Sequence, residues 1–265
     1  MTTNNEKIIS YTANEQAEIK KFIDKHGSEL DWIDARRRTK LHYAAESADS
    51  NIAVFKFLIS EGLNVNAADS GGYTPLHDAA RNSDDIEVIK LLVAAGADVM
   101  AEVFHLYLWT PLHSAICNKN IEIVKFLVSA GADVNAGLME CMPLYQSICR
   151  YNLEAALFLI SAGADANASA EYGSPLHAAV AVNKPGYLDL AKLLVSKGAD
   201  VNRKDKDGYT PLHAASRHNE DVEFVKFLVS AGADVNVKTK NGETPIDMAK
   251  ERGNTAVVDY FEHMR

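Results

Sequence analysis

The chain has 265 residues, of which 47% are apolar and 24% charged, and its formal net charge is −9. This composition is typical of an ordered soluble protein, and the sequence holds no run of about 18 apolar residues that could cross a membrane. The negative charge argues against a general nucleic-acid binder, because such proteins neutralise phosphates with clustered Lys and Arg.

The N-terminus is polar and does not resemble a signal peptide, so it favours no secretion route. Three cysteines occur, Cys117, Cys141 and Cys149, an odd number without a C-x-x-C pair. We therefore expect a cytoplasmic protein in a reducing compartment, with the nucleus or delivery into a host cell left open as locations.

In chain order, residues 1–14 come first and are predicted to be a flexible tail. Residues 15–35 are interpreted as a degenerate N-terminal cap, with a helix through Ile19 and Phe22 that ends near Gly27. One motif then recurs at intervals of 32 to 36 residues, opening at Thr39, Thr74, Thr110, Met142, Ser174, Thr210 and Thr244. A period of this length is typical of a solenoid, so residues 15–265 are predicted to be one domain, the last unit being its C-terminal cap.

Each unit is predicted to contain two helices. In the unit that opens at Thr74, the threonine takes the N-cap position and Pro75 the first helical position. The apolar spacing of residues 86–92 predicts a second helix, and Gly96 follows it where a left-handed residue is wanted. A polar turn then leads to the next unit, so the pattern predicts helix–turn–helix units joined by extended, hairpin-like links.

The motif resembles that of a known family. Thr-Pro-Leu-His or Ser-Pro-Leu-His opens four units and Gly-Ala-Asp-Val-Asn follows three second helices, at residues 74–77, 110–113, 174–177, 210–213, 131–135, 198–202 and 232–236. Over residues 15–265 the chain resembles the ankyrin repeat family. This resemblance implies an all-α solenoid of about seven repeats whose first helices and link tips line a concave groove that binds proteins.

Five histidines belong to the motif and are interpreted as structural: His42, His77, His113, His177 and His213. Histidines on successive repeats lie roughly 8 to 10 Å apart, which is too far for them to share one metal ion. Ser174 and His177 repeat the spacing of the capping residues and are not interpreted as a nucleophile and its base. We therefore expect no catalytic residue, metal or cofactor, and no enzymatic activity.

The asparagines that end the links are expected to bond within their own turns, and hydroxylation of such asparagines is left open. They are Asn66, Asn135, Asn167, Asn202 and Asn236.

Two links are unusually apolar and supply the main candidates for protein binding. The link before Thr110 contributes Phe104, Leu106, Tyr107 and Trp109, and the next link contributes Leu138 and Met139. Exposed apolar patches mark interaction surfaces, and Trp and Tyr are enriched among binding anchors. The alternative is that these side chains fold back and seal a deviant repeat. Both interpretations stay open at the level of sequence.

Six further residues are predicted to extend the binding surface. Two tyrosines continue the apolar patch, two precede their capping threonines and face the groove, and two arginines form a polar rim; they are Tyr151, Tyr172, Tyr73, Tyr209, Arg81 and Arg217. The function predicted is a non-catalytic module that binds a protein partner, not nucleic acid or membrane, and is monomeric. A dedicated inhibitor or microbial host-directed effector, and a self-associating scaffold, are kept as alternatives.

Overall fold

A computed structural model describes residues 11–46, 52–138, 141–168, 173–182, 184–218 and 222–264. These residues form fifteen α-helices and one short 3₁₀ helix, and they contain no β-strand beyond a single isolated bridge. The chain divides into two compact units, residues 1–136 and 137–265. Seven helix pairs follow one N-terminal helix, so the predicted all-α repeat architecture is confirmed.

The first unit contains one helix and three pairs. The bounds are α1 Ala13–His26, α2 Lys40–Glu46, α3 Ile52–Ser60, α4 Pro75–Asn82, α5 Ile86–Ala94, α6 Pro111–Ile116 and α7 Ile121–Ser129. The first helices of the pairs pack on one another in the order α2, α4, α6, and the other layer runs α1, α3, α5, α7. The apolar sides of both layers meet in a continuous core, as stacked repeats require.

The second unit contains four pairs arranged in the same way. They are α8 Pro143–Cys149 with α9 Leu153–Ser161, α10 Pro175–Ala181 with α11 Tyr187–Ser196, α12 Pro211–His218 with α13 Val222–Ser230, and α14 Pro245–Arg252 with α15 Thr255–His263. The first helices again contact in chain order. Small side chains such as Ala179 and Ala215 are fully buried, which lets neighbouring helices approach closely.

The N-terminal cap begins earlier than predicted. Helix α1 starts at Ala13, inside the predicted tail of residues 1–14, and the remainder of that tail up to residue 10 lies outside the described residues. Thr12 and Glu15 form a capping box, in which the Thr12 amide donates to Glu15 Oε2 at 2.9 Å. This reciprocal bond satisfies amides that a helix start leaves unpaired, and it explains the boundary. The predicted end at Gly27 is confirmed.

Lys40 takes the place of the proline in the unit that opens at Thr39. Its side chain is fully buried, and Nζ donates to the carbonyl oxygens of His26 and Gly27, the latter at 2.7 Å. A cation at the C-terminal end of α1 satisfies carbonyl groups that have no partner within the helix. The departure from the motif therefore attaches the cap to the first repeat.

The motif histidines link consecutive repeats. His77 Nδ1 accepts the Thr74 amide hydrogen at 3.1 Å, so the ring proton lies on Nε2. Nε2 then donates to the carbonyl oxygen of Trp109, in the link that follows, at 3.3 Å. The same contact, at 3.1 Å, joins three more histidines to the next link: His42 to Tyr73, His177 to Tyr209 and His213 to Glu243. The structural interpretation is confirmed for these four.

The side chains of three link asparagines bond to the next repeat and not within their own turns. Asn202 Nδ2 donates to the Gly232 carbonyl at 3.0 Å, and its Oδ1 accepts the Asp234 amide at 2.8 Å. Asn66 and Asn167 make the equivalent pairs of bonds. The turn itself is closed by the residue two positions earlier, as when Asp200 accepts the Asn202 amide. The prediction was therefore wrong for these three asparagines.

We predict that acid destabilises the fold through His77. Burial lowers the pKa of this histidine from 6.5 to about 4, so the folded state keeps the ring neutral where the unfolded chain protonates it. Its contribution is complete above about pH 6.5 and is lost as the pH falls towards 4. Between pH 7.5 and 5 the free energy of unfolding should fall by about 2 kcal/mol through this group. Urea unfolding should therefore depend less on pH in H77Q than in the unmodified chain.

Comparing H77Q with the unmodified chain separates the contribution of His77 to the pH dependence of stability from that of Asp78. Burial raises the pKa of Asp78 to about 7, so its contribution is present below its ordinary pKa of 3.8 and lost as the pH rises through 7. This opposite effect occurs in both proteins and cancels in their difference. An equal loss of stability on acidification in H77Q and the unmodified chain would contradict the assignment.

A second prediction concerns the asparagine bridges between repeats. N202A removes two hydrogen bonds to the next repeat and should lower the free energy of unfolding by about 1 to 2 kcal/mol. N236A is the matched control, since Asn236 ends the equivalent link but its side chain makes no hydrogen bond within the described residues. Chemical denaturation should therefore separate the two variants, and equal effects would count against a bridging role.

Candidate protein-binding surfaces

The aromatic link, residues 103–109, is a structured turn in the first unit. The Val103 amide donates to the Trp109 carbonyl at 2.8 Å, and these two residues form the isolated antiparallel bridge. Between them lies the 3₁₀ helix Phe104–Leu106, followed by Tyr107 and Leu108 with φ angles of 54° and 65°. Two consecutive left-handed residues that are not glycine are uncommon, and each such conformation costs about 1 to 2 kcal/mol.

The turn divides the side chains of this link between core and solvent. Val103 is fully buried and Trp109 is 9% exposed, whereas Phe104 is 79% and Tyr107 51% exposed. Both interpretations drawn from the sequence thus apply, each to different residues: the ends of the link seal the repeat and its centre projects into solvent. Nothing is described of the Leu106 side chain, although its backbone lies in the 3₁₀ helix.

Trp109 is a structural residue, and the prediction that it anchors a partner is corrected. Its Nε1 donates to Ser114 Oγ at 3.1 Å, and its ring lies 5.1 Å from that of His113, centroid to centroid. Its carbonyl oxygen accepts from both Val103 and His77. A buried indole whose only polar atom is already bonded has little surface to offer a partner.

The second apolar link lies in the other unit. Leu138 is 51% exposed. Met139 and Tyr172 lie outside the described residues. Because the two units are described separately, the single patch predicted from both links stays a prediction.

A groove of about 600 Å³ runs along the first helices of the second unit. We name it the tyrosine groove, because Tyr145 lines it from α8, Tyr151 from the turn that follows α8, and Tyr209 from the link before α12. The rest of its lining is mixed in charge and consists of Cys149, His177, Ala178, Ala181, Val182, Asp205, Asp207, Ala214, Arg217 and His218. Its size and its combination of rings and charged groups suit a peptide or side chain of a partner.

The tyrosines predicted to face the groove differ in how they are held. Tyr151 is 56% exposed, has a φ of 60°, and lies below Lys184 Nζ, which is 3.4 Å from the ring centroid. Tyr209 is half-buried and packs edge-on against His213, with ring centroids 5.7 Å apart. Tyr73 packs in the same way on His77 at 5.6 Å in the first unit. Tyr151 therefore presents the largest free surface of the three.

The two predicted rim arginines have different surroundings. Arg81 is exposed on α4, where it is one of two arginines that partly offset the raised pKa of Asp78. The main causes of that raised pKa are the burial of the carboxyl group and the nearby Glu46. Arg217 is half-buried at the end of α12, and its Nε atom is buried without a hydrogen-bond partner in the described part of the chain.

Sequence reasoning missed two residues of these surfaces. Tyr145 stands where other units have the motif histidine, and this exchange was a signal that its ring has another role. Asp78 was also detectable, because the three other units that keep Pro-Leu-His hold small side chains at the equivalent position, Ser114, Ala178 and Ala214. A carboxyl group in such a position is buried against the neighbouring helix, which raises its pKa.

The described residues show few features of a reaction centre. They contain no cluster of three His, Cys, Asp or Glu side chains that could hold a metal ion. None of their helices combines the length and apolarity that a membrane span requires. Burial raises the pKa of the Cys149 thiol, against smaller opposing effects of Tyr145 and Arg150, and this favours the less reactive protonated form.

Comparison with known proteins identifies the repeats. The sequence pattern of ankyrin repeats in three copies matches residues 8–103, 137–205 and 176–263, and the single ankyrin repeat pattern matches residues 107–137. Among solved structures, the human ASB11 ankyrin repeat domain is similar with a TM-score of 0.68 and 21% identity, covering 84% of this chain and 99% of that domain.

Curated relatives match shorter segments. Alpha-latrotoxin-Lg1a of Latrodectus geometricus is 34% identical over 98 residues, 37% of this chain and 7% of that protein. Putative ankyrin repeat protein FPV233 of Fowlpox virus is 50% identical over 58 residues, 22% of this chain and 11% of that protein. Protein phosphatase 1 regulatory subunit 12A of Mus musculus is 49% identical over 49 residues, 18% of this chain and 4% of that protein. The matches thus cover small fractions of these relatives, whereas the repeat patterns cover nearly all of this chain. The chain belongs to the ankyrin repeat family.

Proposed function

We propose that this chain is a non-catalytic protein-binding module and that Phe104 and Tyr107 are its principal contact residues in the first unit. Ankyrin repeats generally mediate protein–protein interactions. These two residues present aromatic rings at the tip of a constrained turn.

The observation that carries this proposal is the exposure of both rings on a strained turn. The bridge between Val103 and Trp109 holds the turn, so its backbone does not need to be ordered when a partner binds. The two left-handed residues reduce the stability of the free protein, and the two exposed aromatic rings add little to it. Covering the exposed part of both rings would contribute on the order of 5 kcal/mol before the costs of association. A partner that covers these rings therefore gains apolar burial that the free chain does not use.

The use of the histidines supports a role without catalysis. Ser174 Oγ lies 2.9 Å from His177 Nδ1, a distance that would also suit a nucleophile and its base. However, Nδ1 accepts the Ser174 amide and Nε2 donates to the Tyr209 carbonyl, so both ring nitrogens already have structural partners. Burial also lowers the pKa of His177, which makes it a poorer proton acceptor. We extend the proposal to a reducing cytoplasm as its setting, because Cys117, Cys141 and Cys149 form no disulfide among the described residues.

The test is a double substitution at the tip. F104A/Y107A should weaken partner binding by about 2 kcal/mol or more, because exposed aromatic anchors dominate such interfaces. The midpoint of thermal unfolding should stay nearly unchanged, since both rings are exposed in the free protein. Proteins retained by the unmodified chain and lost by the variant would be purified, and each affinity measured by titration calorimetry.

Two further variants define the outcome. L157A removes an exposed apolar side chain on α9 and should bind like the unmodified chain. W109A should lower the unfolding midpoint, since it removes a buried ring. Unchanged binding by F104A/Y107A would reject the tip as the contact site. Sedimentation across a dilution series would show whether the protein retained is a second copy, which would favour the self-associating scaffold.

A further inference from the structure

A second cavity, of about 380 Å³, lies near the C-terminal end of the second unit. We name it the arginine pocket. Arg217 and His218 line it from the end of α12, Arg252 lines it from the end of α14, and residues 253–256 line it from the start of α15. Three basic side chains thus surround one cavity, and no carboxylate belongs to its lining within the described residues.

The positive charge of this pocket is not matched by ion pairs of the described residues. Arg217 Nε is buried and has no acceptor among the described residues, which is unfavourable for a buried donor. Two acidic side chains on the adjacent helices are engaged elsewhere: Glu223 pairs with Lys226 at 2.8 Å and Glu262 with Lys250 at 3.3 Å. A negatively charged group is therefore the missing partner of this cavity.

His218 reports the electrostatic field in the pocket. Burial is the first cause of its lowered pKa, and the charges of Arg217 and Arg252 lower it further. Both guanidinium groups are therefore close enough to disfavour a third positive charge on the imidazole. An anion between them would reverse this effect and raise the pKa of His218.

The start of α15 adds hydrogen-bond donors to the same cavity. Asn254 caps this helix, and its Oδ1 accepts the Val257 amide at 3.4 Å. The amide of Ala256, in the same first turn, has no acceptor within its own helix. The Thr255 residue in the lining also carries a hydroxyl group. Helix starts favour anions because their amides point outward and the helix dipole is positive there.

We propose that the arginine pocket binds a phosphate group. Two guanidinium groups and the donors of a helix start suit a tetrahedral dianion better than a single carboxylate, because three oxygens can accept hydrogen bonds at once. Arg217 and His218 also line the tyrosine groove, so a segment lying in that groove would bring a phosphorylated side chain within reach of the pocket. This site is independent of the aromatic link, which lies in the other unit.

The experiment follows the His218 ring by NMR in the full-length chain, with its resonance assigned through H218Q. Inorganic phosphate, acetyl-phosphoserine amide and acetyl-serine amide are titrated against sodium chloride at constant ionic strength. We expect a saturable shift and a higher His218 pKa with both phosphate compounds and none with the serine compound. Tighter binding of acetyl-phosphoserine amide would identify a peptide-borne phosphate as the ligand, and equal binding a free one.

Three variants decide whether the pocket is responsible. R217Q/R252Q should weaken phosphate binding at least about tenfold, since it removes both charge-assisted donors. K204Q/K240Q removes the same charge at exposed positions and should bind normally. Glu220 and Asp221 follow His218 in sequence and lie outside the described residues, so E220Q/D221N is included. No saturable shift, equal binding by R217Q/R252Q, or binding only in E220Q/D221N would each overturn the proposal.

Discussion

The hydrogen bond from a motif histidine to the carbonyl of the following link, made by His42, His77, His177 and His213, is the interaction on which this architecture depends. One imidazole accepts the amide of its own capping Thr or Ser through Nδ1 and donates through Nε2 to the next repeat. It can do both only when neutral, and burial keeps it neutral by lowering its pKa. The same side chain thus starts a helix and sets the distance to the next repeat, so each repeat depends on its neighbour.

This bond also sets where sequence variation can produce a binding surface. In the aromatic link, Trp109 supplies the carbonyl that His77 binds, and its bridge to Val103 closes the base of the turn. Both ends of the link are therefore committed to the fold. Only the residues between them are free to project, and Phe104 and Tyr107 do so. The two aromatic side chains are exposed because the ends of the turn are held by hydrogen bonds.

The fold was predictable from sequence because each repeat restates the same local signals. Thr-Pro starts, apolar spacing and terminal glycines agree in several copies. A weak signal in one unit is therefore supported by the same signal in the others. The sites were less predictable because they rest on departures from the repeat. The sequence could not reveal that Trp109 is buried and bonded to Ser114, nor that Asn202 reaches the next repeat. These contacts join groups whose spacing only the packed helices define.

Arg81 and Arg217 occupy equivalent positions in two repeats, but one neighbouring residue gives them different surroundings. Each is the fourth residue after its motif histidine, so their backbones occupy equivalent places in the two units. In the first unit, Asp78 lies three residues before Arg81 on the same helix, and the charge of Arg81 acts to lower the pKa of Asp78. This arginine therefore has an acidic neighbour. In the second unit that position is Ala214, which carries no charge. The absence of a carboxyl group at this position leaves the charge of Arg217 available to a ligand.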